Sequence, residues 1–300
     1  MLMMLAKFSL FLLFFVAVSA LQDNRPNLRV MTFDTYNTGI HFDQGLYKIV
    51  KHILSVDADL IAIQRGAMDQ ILPLLGSRYQ GYAVDPTDMD VGIITKHEID
   101  LSTLVHTPAS VGFKINLLNS KSVYFHSLHL DPENYGPYNT TTKSGLDQRE
   151  EKRVSQIQTL INSPDFQIHV QFAASGGIPL IVAGNFESPS HLDWIARTKR
   201  LHGDCVYEWP ASKLLSDNAS LSDSFRVVNP DPLYVVGNTW STCYETVYDR
   251  IDFILYNSPK LIPVDSFVYS GCLPLKMSPN HKFNDFPSNH YAVVTDFLYA

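Results

Sequence analysis

The stretch Ile178-Pro179-Leu180-Ile181-Val182-Ala183-Gly184-Asn185-Phe186-Glu187-Ser188 constrains the fold more than any other part of the chain. Apart from Pro179 its first six residues are apolar, and Ile181 and Val182 are β-branched. That is the pattern of a strand buried on both faces. Gly184 is expected to let the backbone turn tightly where the strand ends. Asn185 and Glu187 follow two residues apart, a spacing that points both side chains of an extended segment toward one site.

The first twenty residues read as a leader rather than as part of a fold. Lys7 supplies a positive start, Phe8 to Val18 is an apolar run, and Val18-Ser19-Ala20 is a small-residue cleavage pattern. The run is short for a bilayer span, and the polar Leu21–Pro26 follows it. The expectation is a secreted or lumenal protein with no transmembrane segment in the mature chain. Asn139-Thr140-Thr141 and Asn218-Ala219-Ser220 are glycosylation acceptors on that route, both in polar stretches that read as surface loops.

What remains suits one large domain over residues 27–300, with no repeat, low-complexity tract or linker to divide it. The formal net charge is −7. Binding a phosphate backbone usually needs clustered Lys and Arg, which are scattered here. That counts against nucleic acid without excluding it, because a bound metal can carry local positive charge. Arg149, Lys152 and Arg153 gather on the helix expected over Leu146–Asn162, where they read as a solvated face.

Leu28–Asp34 reads as a strand. The helix after it places Leu46, Ile49, Val50, Ile53 and Leu54 on one face, and Asp59–Gln64 is a second buried strand. This order implies packed α/β layers. Further strands are expected at Val91–Lys96 and Ser122–Asp131, then Tyr248–Tyr256 and a last one after Ser288. The polar loop from Pro132 to Ser144 is long enough to suggest function or disorder.

These segments, in this order, resemble the motifs of the endonuclease/exonuclease/phosphatase superfamily, the deoxyribonuclease I-like fold. Gly184-Asn185-Phe186-Glu187 resembles its Gly-Asp-Phe-Asn motif. Asp34 stands where the first family strand ends in Asn, and Gln64-Arg65 where the second ends in Gln-Glu. Leu128-His129-Leu130 resembles Thr-His-Leu, Leu221–Arg226 a helix–loop signature, Arg250-Ile251-Asp252-Phe253 the Arg-Ile-Asp-Tyr strand, and Ser288-Asn289-His290 the Ser-Asp-His motif. The resemblance implies a four-layered α/β sandwich of two packed, mainly antiparallel sheets flanked by helices. It also implies a bridge between the regions of Cys205 and Cys243, leaving Cys272 unpaired. His126 has the other parity on its strand from His129 and reads as structural. Asp249 is a second candidate acid beside Asp252.

Members of this superfamily hydrolyse phosphate esters with a divalent metal, usually Mg²⁺, which wants carboxylate oxygens and water. The resemblance assigns catalytic positions to His129, Asn185, Asp252 and His290, and substrate-binding positions to Asp34, Arg65, Glu187 and Asn289. The substitutions fall on the demanding steps. Arg65, at the principal metal ligand, is a permanent cation. Asn185, at the water-activating position, is a neutral amide. Asn289 removes a further carboxylate, while Asp34 and Glu187 add two where the family has Asn. One expectation is therefore a catalytically impaired binder of a phosphate-containing or other anionic ligand, with no metal. The other is an active phosphodiesterase (nuclease, sphingomyelinase-like or phosphatase) using a permuted carboxylate site with Mg²⁺.

Overall fold

The computed structural model describes residues 26–85, 91–138, 142–245 and 247–300. The expected leader and the acceptor at Asn139 lie outside these residues. The chain runs through β1 (Leu28–Asp34), α1 (Gly45–Val56), β2 (Leu60–Gln64), α2 (Met68–Leu75), β3 (Gln80–Ala83), β4 (Val91–Thr95), β5 (Glu98–Thr107) and β6 (Ser110–Asn116). It continues through β7 (Ser122–His129), α3 (Lys143–Ile161), α4 (Pro164–Ala174), β8 (Leu180–Asn185), α5 (Pro210–Ala219), β9 (Ser222–Asp223), α6 (Ser224–Val228), β10 (Asp252–Asn257), β11 (Leu261–Tyr269) and β12 (Ala292–Tyr299).

The strands form two six-stranded sheets, ordered β11-β12-β1-β2-β4-β3 and β5-β6-β7-β8-β10-β9. Among the described residues only β1 with β2 and β7 with β8 are parallel neighbours; the other pairs are antiparallel. A parallel pair needs a crossover, and helices supply both: α1 in the first, α3 and α4 in the second.

Side-chain alternation explains the layers. Along β8, Ile181 and Ala183 enter the core between the sheets with Val30, Phe113, Phe125 and Phe297. Leu180 and Val182 face the other way, against Ile157, Leu160, Phe166 and Leu215 of the flanking helices. In the other sheet, Met31, Phe33, Ile61 and Ile63 pack on Ile49 and Ile53 of α1 and on Ile71 of α2. Each large apolar side chain buried this way stabilises by about 1.5–3 kcal/mol. Polar crosslinks also pass between the sheets: Gln64 Nε2 donates to Ser127 Oγ at 3.2 Å while its Oε1 accepts from Thr32 Oγ1 at 3.1 Å.

Several expectations are corrected. Gly184 lies inside β8, not at a turn. A Cβ there would stand 1.9 Å from the Leu128 carbonyl oxygen, so the glycine permits close approach of β7. Leu54 lies off the buried stripe of α1 and is exposed. Arg153 is not solvated: it is fully buried, with Nη1 donating to Glu150 Oε1 at 2.9 Å and Nη2 to the Glu133 carbonyl at 2.7 Å. No disulfide joins the cysteines. Cys205 packs on the cluster of Leu146, Trp194, Tyr207 and Trp209, whereas Cys243 is buried in another loop whose carbonyl accepts from Ser278 N. Asn218 is exposed, but in the last turn of α5 rather than in a loop.

Gly184→Ala is expected to destabilise the protein by about 1–3 kcal/mol through overpacking, read as a lowered denaturation midpoint. His126, the histidine read as structural, is buried with Nε2 2.9 Å from His169 Nδ1. Burial lowers both, His169 to about 4. The unfolded chain therefore binds more protons below its ordinary histidine pKa, so this pair's contribution falls with falling pH between about 6.5 and 4. His169→Gln should flatten the pH dependence of unfolding in that window; an unchanged slope would remove the pair as its source.

Candidate functional site

The central strands of both sheets end at one rim. Asp34 and Gln64 are register partners at the ends of β1 and β2. His129 and Asn185 are partners at the ends of β7 and β8, and Asp252 stands opposite Asn185 at the start of β10. Asn185 Nδ2 donates to Asp34 Oδ2 at 2.8 Å, which ties one sheet to the other.

Arg65 is the first residue beyond β2 and has a φ of 53°. This left-handed backbone is uncommon for a bulky residue. Its guanidinium lies on Asp34, with Nε 2.7 Å from Oδ1 and 2.9 Å from Oδ2. Nη2 donates to Asn289 Oδ1 at 3.3 Å, and Cζ lies 5.2 Å from the centre of the Tyr36 ring. Asp34 also accepts from the Tyr36 backbone N–H at 3.0 Å.

Asn185 Oδ1 accepts the Glu187 backbone N–H at 2.8 Å, while Nδ2 also donates to Glu187 Oε1 at 2.8 Å. Glu187 too is left-handed, with φ 49°. His129 Nε2 lies 3.6 Å from Glu187 Oε1. His290 Nδ1 lies 3.0 Å from Asp252 Oδ2. Thr239 Oγ1 holds the start of β10 by accepting from the N–H groups of Ile251 (2.9 Å) and Asp252 (3.1 Å). Ser288 Oγ donates to the Asp34 carbonyl at 2.6 Å and accepts from His290 N at 3.0 Å, setting the last motif against β1. All eight candidate positions thus lie together: Asp34, Arg65, His129, Asn185, Glu187, Asp252, Asn289 and His290.

Charge is balanced inside this cluster. Burial pushes Asp34 up, but Arg65, His290 and His129 outweigh it and hold the carboxyl well below the usual range. Burial likewise opposes the Glu187 charge, and the His129 imidazole 3.6 Å away, with His290 and Arg65, brings it below its ordinary value. For His290, burial lowers the pKa while Asp252 and Asp34 raise it, and the anions win. The imidazolium is favoured, with Nδ1–H on Asp252.

Aromatic residues that the motif reading did not single out form the mouth. Tyr36, Tyr138, Trp240 and Tyr244 line, with Asn289, a cleft of about 550 Å³. Trp240 packs on His290 with centroids 4.8 Å apart and donates from Nε1 to the Tyr138 hydroxyl at 2.7 Å. The available signals were Tyr36 two residues past Asp34 and Trp240 beside Thr239. Asp249 is not in the cluster: its carboxylate accepts from Tyr135 Oη and Trp194 Nε1, each at 2.8 Å, and burial raises it to about 6.

Asp34, His129 and Glu187 have ligand atoms within 4.8 Å of one another, the spacing a metal ion needs. The donor set does not fit Mg²⁺ as it stands. Both Asp34 oxygens already face N–H donors, Glu187 Oε1 faces an amide N–H and an imidazole, and a guanidinium lies alongside. A hard cation binds oxygen ligands and cannot share them with that charge.

Removing Arg65 leaves a buried, unpaired carboxylate. Arg65→Met is expected to cost about 3–5 kcal/mol in urea denaturation. Adding Asp34→Asn should recover much of that loss. Asp34 is depressed, so its contribution is present above the ordinary carboxylate pKa and is lost as pH falls below it. Arg65→Met should shrink that acid limb, leaving what His290 and His129 supply.

No protein-family model matches the chain. It is 35% identical over 291 residues to the uncharacterized protein F14F9.5 of Caenorhabditis elegans, covering 91% of each chain. Among solved structures, the human nocturnin catalytic domain with bound sulfate is similar at TM-score 0.59 and 17% identity, over 93% of this chain and 97% of that one. Truncated TDP2 of Caenorhabditis elegans gives TM-score 0.58 at 14% identity, over 91% and 97%. The endonuclease/exonuclease/phosphatase of Beutenbergia cavernae gives 0.57 at 14%, over 92% and 72%. The two-sheet architecture and these likenesses give the chain the deoxyribonuclease I-like fold of the endonuclease/exonuclease/phosphatase superfamily, and by sequence it belongs to the same family as F14F9.5.

Proposed function

We propose that this protein is a secreted or lumenal binder of a phosphate-bearing or similar anionic ligand, with metal-dependent hydrolysis lost or strongly impaired. The observation that carries the reading is the seat of Arg65: its guanidinium lies on Asp34 and reaches Asn289. A cation already stands where the superfamily resemblance puts the principal metal ligand. Asn185 spends its amide N–H groups on Asp34 and Glu187 and has no basic atom to take a proton from water. Arg65 and the His290 imidazolium supply the groups that grip an anion. The secreted destination rests on the leader pattern of residues 1–20. Among the described residues no helix is long and apolar enough to cross a membrane.

Inorganic phosphate or sulfate is expected to raise the melting temperature, and His290→Ala with Arg65→Met should remove the effect. DNA, RNA, sphingomyelin and an aryl phosphodiester should show no robust turnover with Mg²⁺, Mn²⁺ or Ca²⁺. The triple variant Arg65→Glu, Asn185→Asp, Asn289→Asp should acquire Mg²⁺ affinity in calorimetry, absent from the parent.

The second reading is an active enzyme with a permuted site, and the closeness of Asp34, His129 and Glu187 favours it. Two carboxylates and an imidazole suit Mn²⁺ or Zn²⁺ better than Mg²⁺. Metal-dependent turnover that disappears in both Glu187→Gln and His290→Ala would establish it against the first.

A further inference from the structure

Away from the cleft, one short segment turns its apolar side chains into solvent. Leu233, Tyr234, Val235 and Val236 are 42%, 81%, 43% and 40% exposed. Their backbone is bonded inward. Buried Arg226 on α6 donates from Nη1 to the Val235 carbonyl at 2.6 Å and from Nη2 to the Val236 carbonyl at 2.7 Å. Its Nε is held at 2.7 Å by Asp193, which also holds Arg250 Nε at 2.9 Å. Asp231 accepts the N–H of Leu233 on its carboxylate and that of Val235 on its carbonyl, each at 3.0 Å. With the backbone fixed from beneath, the four side chains form a ridge instead of folding back onto the core.

Leu201 and Tyr248, also exposed, extend this surface. With Val236 they border a cavity of about 350 Å³. Arg197, Lys199 and Arg200 are exposed on the flanking segment. Arg197 stacks over Tyr234 with Cζ 5.6 Å from the ring centre and pairs with Asp231 at 2.5 Å. Asp231 matches Arg197, while Lys199 and Arg200 add positive charge that exposed Asp204 offsets in part, in a chain of net charge −7.

We infer that the ridge docks on a lipid surface bearing anionic headgroups. Contiguous exposed apolar side chains mark interaction surfaces. Interfacial binding grows with inserted apolar area and with attraction of basic residues to anionic lipid. A nucleic acid would use the cations but has no use for three aliphatic side chains. An apolar protein partner would leave the cations unmatched. The segment leads directly to Trp240, and Val247 lines both the ridge cavity and the aromatic cleft, so docking brings the cleft mouth close to the lipid. The inference does not depend on what the cleft does chemically.

The test is co-sedimentation of the protein, purified as the expressing cell processes it, with phosphatidylcholine vesicles with and without phosphatidylserine. Binding to the serine-containing vesicles is expected, weakening with salt. Tyr234→Asp with Val235→Asp should reduce it roughly tenfold or more, and Lys199→Glu with Arg200→Glu by a similar factor. Melting temperatures close to the parent's confirm that both variants fold. Absence of binding to either vesicle, or binding unchanged in both variants, overturns the inference. A concentration-dependent dimer dispersed by Tyr234→Asp with Val235→Asp overturns it too and assigns the ridge to a second copy of the chain.

Discussion

The rim of this sandwich depends on one buried ion pair, Arg65 on Asp34. Removing a carboxylate and a guanidinium from water costs several kcal/mol for each ion, and Coulomb attraction offsets that only when the remaining polar atoms are also satisfied. Asp34 meets the condition. It receives Arg65 Nε, Asn185 Nδ2 and the Tyr36 N–H. The arrangement is interdependent. An acid at position 34 needs the cation at 65, and both need an amide at 185. A carboxylate at 185 would set a second anion against Asp34 where an N–H now stands. The charges at 34, 65 and 185 are therefore one interdependent arrangement, not separate features.

A second set of buried ions holds the loops beyond β8. Arg250 donates to Asp193 from Nε at 2.9 Å and to Asp223 from Nη1 at 2.6 Å, with Cζ 4.8 Å from the centre of the Phe253 ring. Arg226 shares Asp193 and fixes the carbonyls of Val235 and Val236. Two residues after Arg250, Asp252 begins β10 and meets His290. One network thus sets the floor of the cleft and the direction of the apolar ridge. Losing Asp193 would take from Arg226 the carboxylate it is bonded to and leave Arg250 with Asp223 alone, so its effect would reach the cleft without contact with a ligand.

Much of the fold was legible because strand signals depend on neighbours in sequence. The apolar run of β8, the stripe on α1 and the order of the motifs each need only a short window, and together they specify the sheets. The eight clustered positions were legible through the order of the motifs, as each lies at a strand end or within three residues of one. Arg153 was not. Its partner Glu150 is one turn away, but the Ser188 hydroxyl that bonds Glu150 Oε2 at 2.8 Å is far along the chain. A run of charge on a helix cannot reveal that contact. The aromatic mouth was hidden likewise, since Tyr36, Tyr138, Trp240 and Tyr244 meet only after three loops converge. For Gly184 the residue was the right one to notice, but the reason lies across the sheet in the Leu128 carbonyl, which local turn chemistry does not show.

The stability of the cluster and its chemistry draw on the same charges. Water attacks a phosphate ester slowly unless a metal or base makes it more nucleophilic. A metal is drawn in by unbalanced carboxylates, and here Arg65 and the Asn185 amide have already balanced them. Glu187 is one of the carboxylates beside Asn185, where the resemblance places the base. Its Oε1 is occupied by Asn185 Nδ2, and its left-handed backbone fixes where the side chain can reach. A displacement of about 1 Å in such a site costs on the order of a hundredfold in rate. Anion binding makes smaller demands: it needs donors and positive charge, which Arg65 and His290 retain without a proton transfer. In the proposed reading, the exchange of charge that made the rim stable without metal removed the conditions for hydrolysis and kept those for recognition.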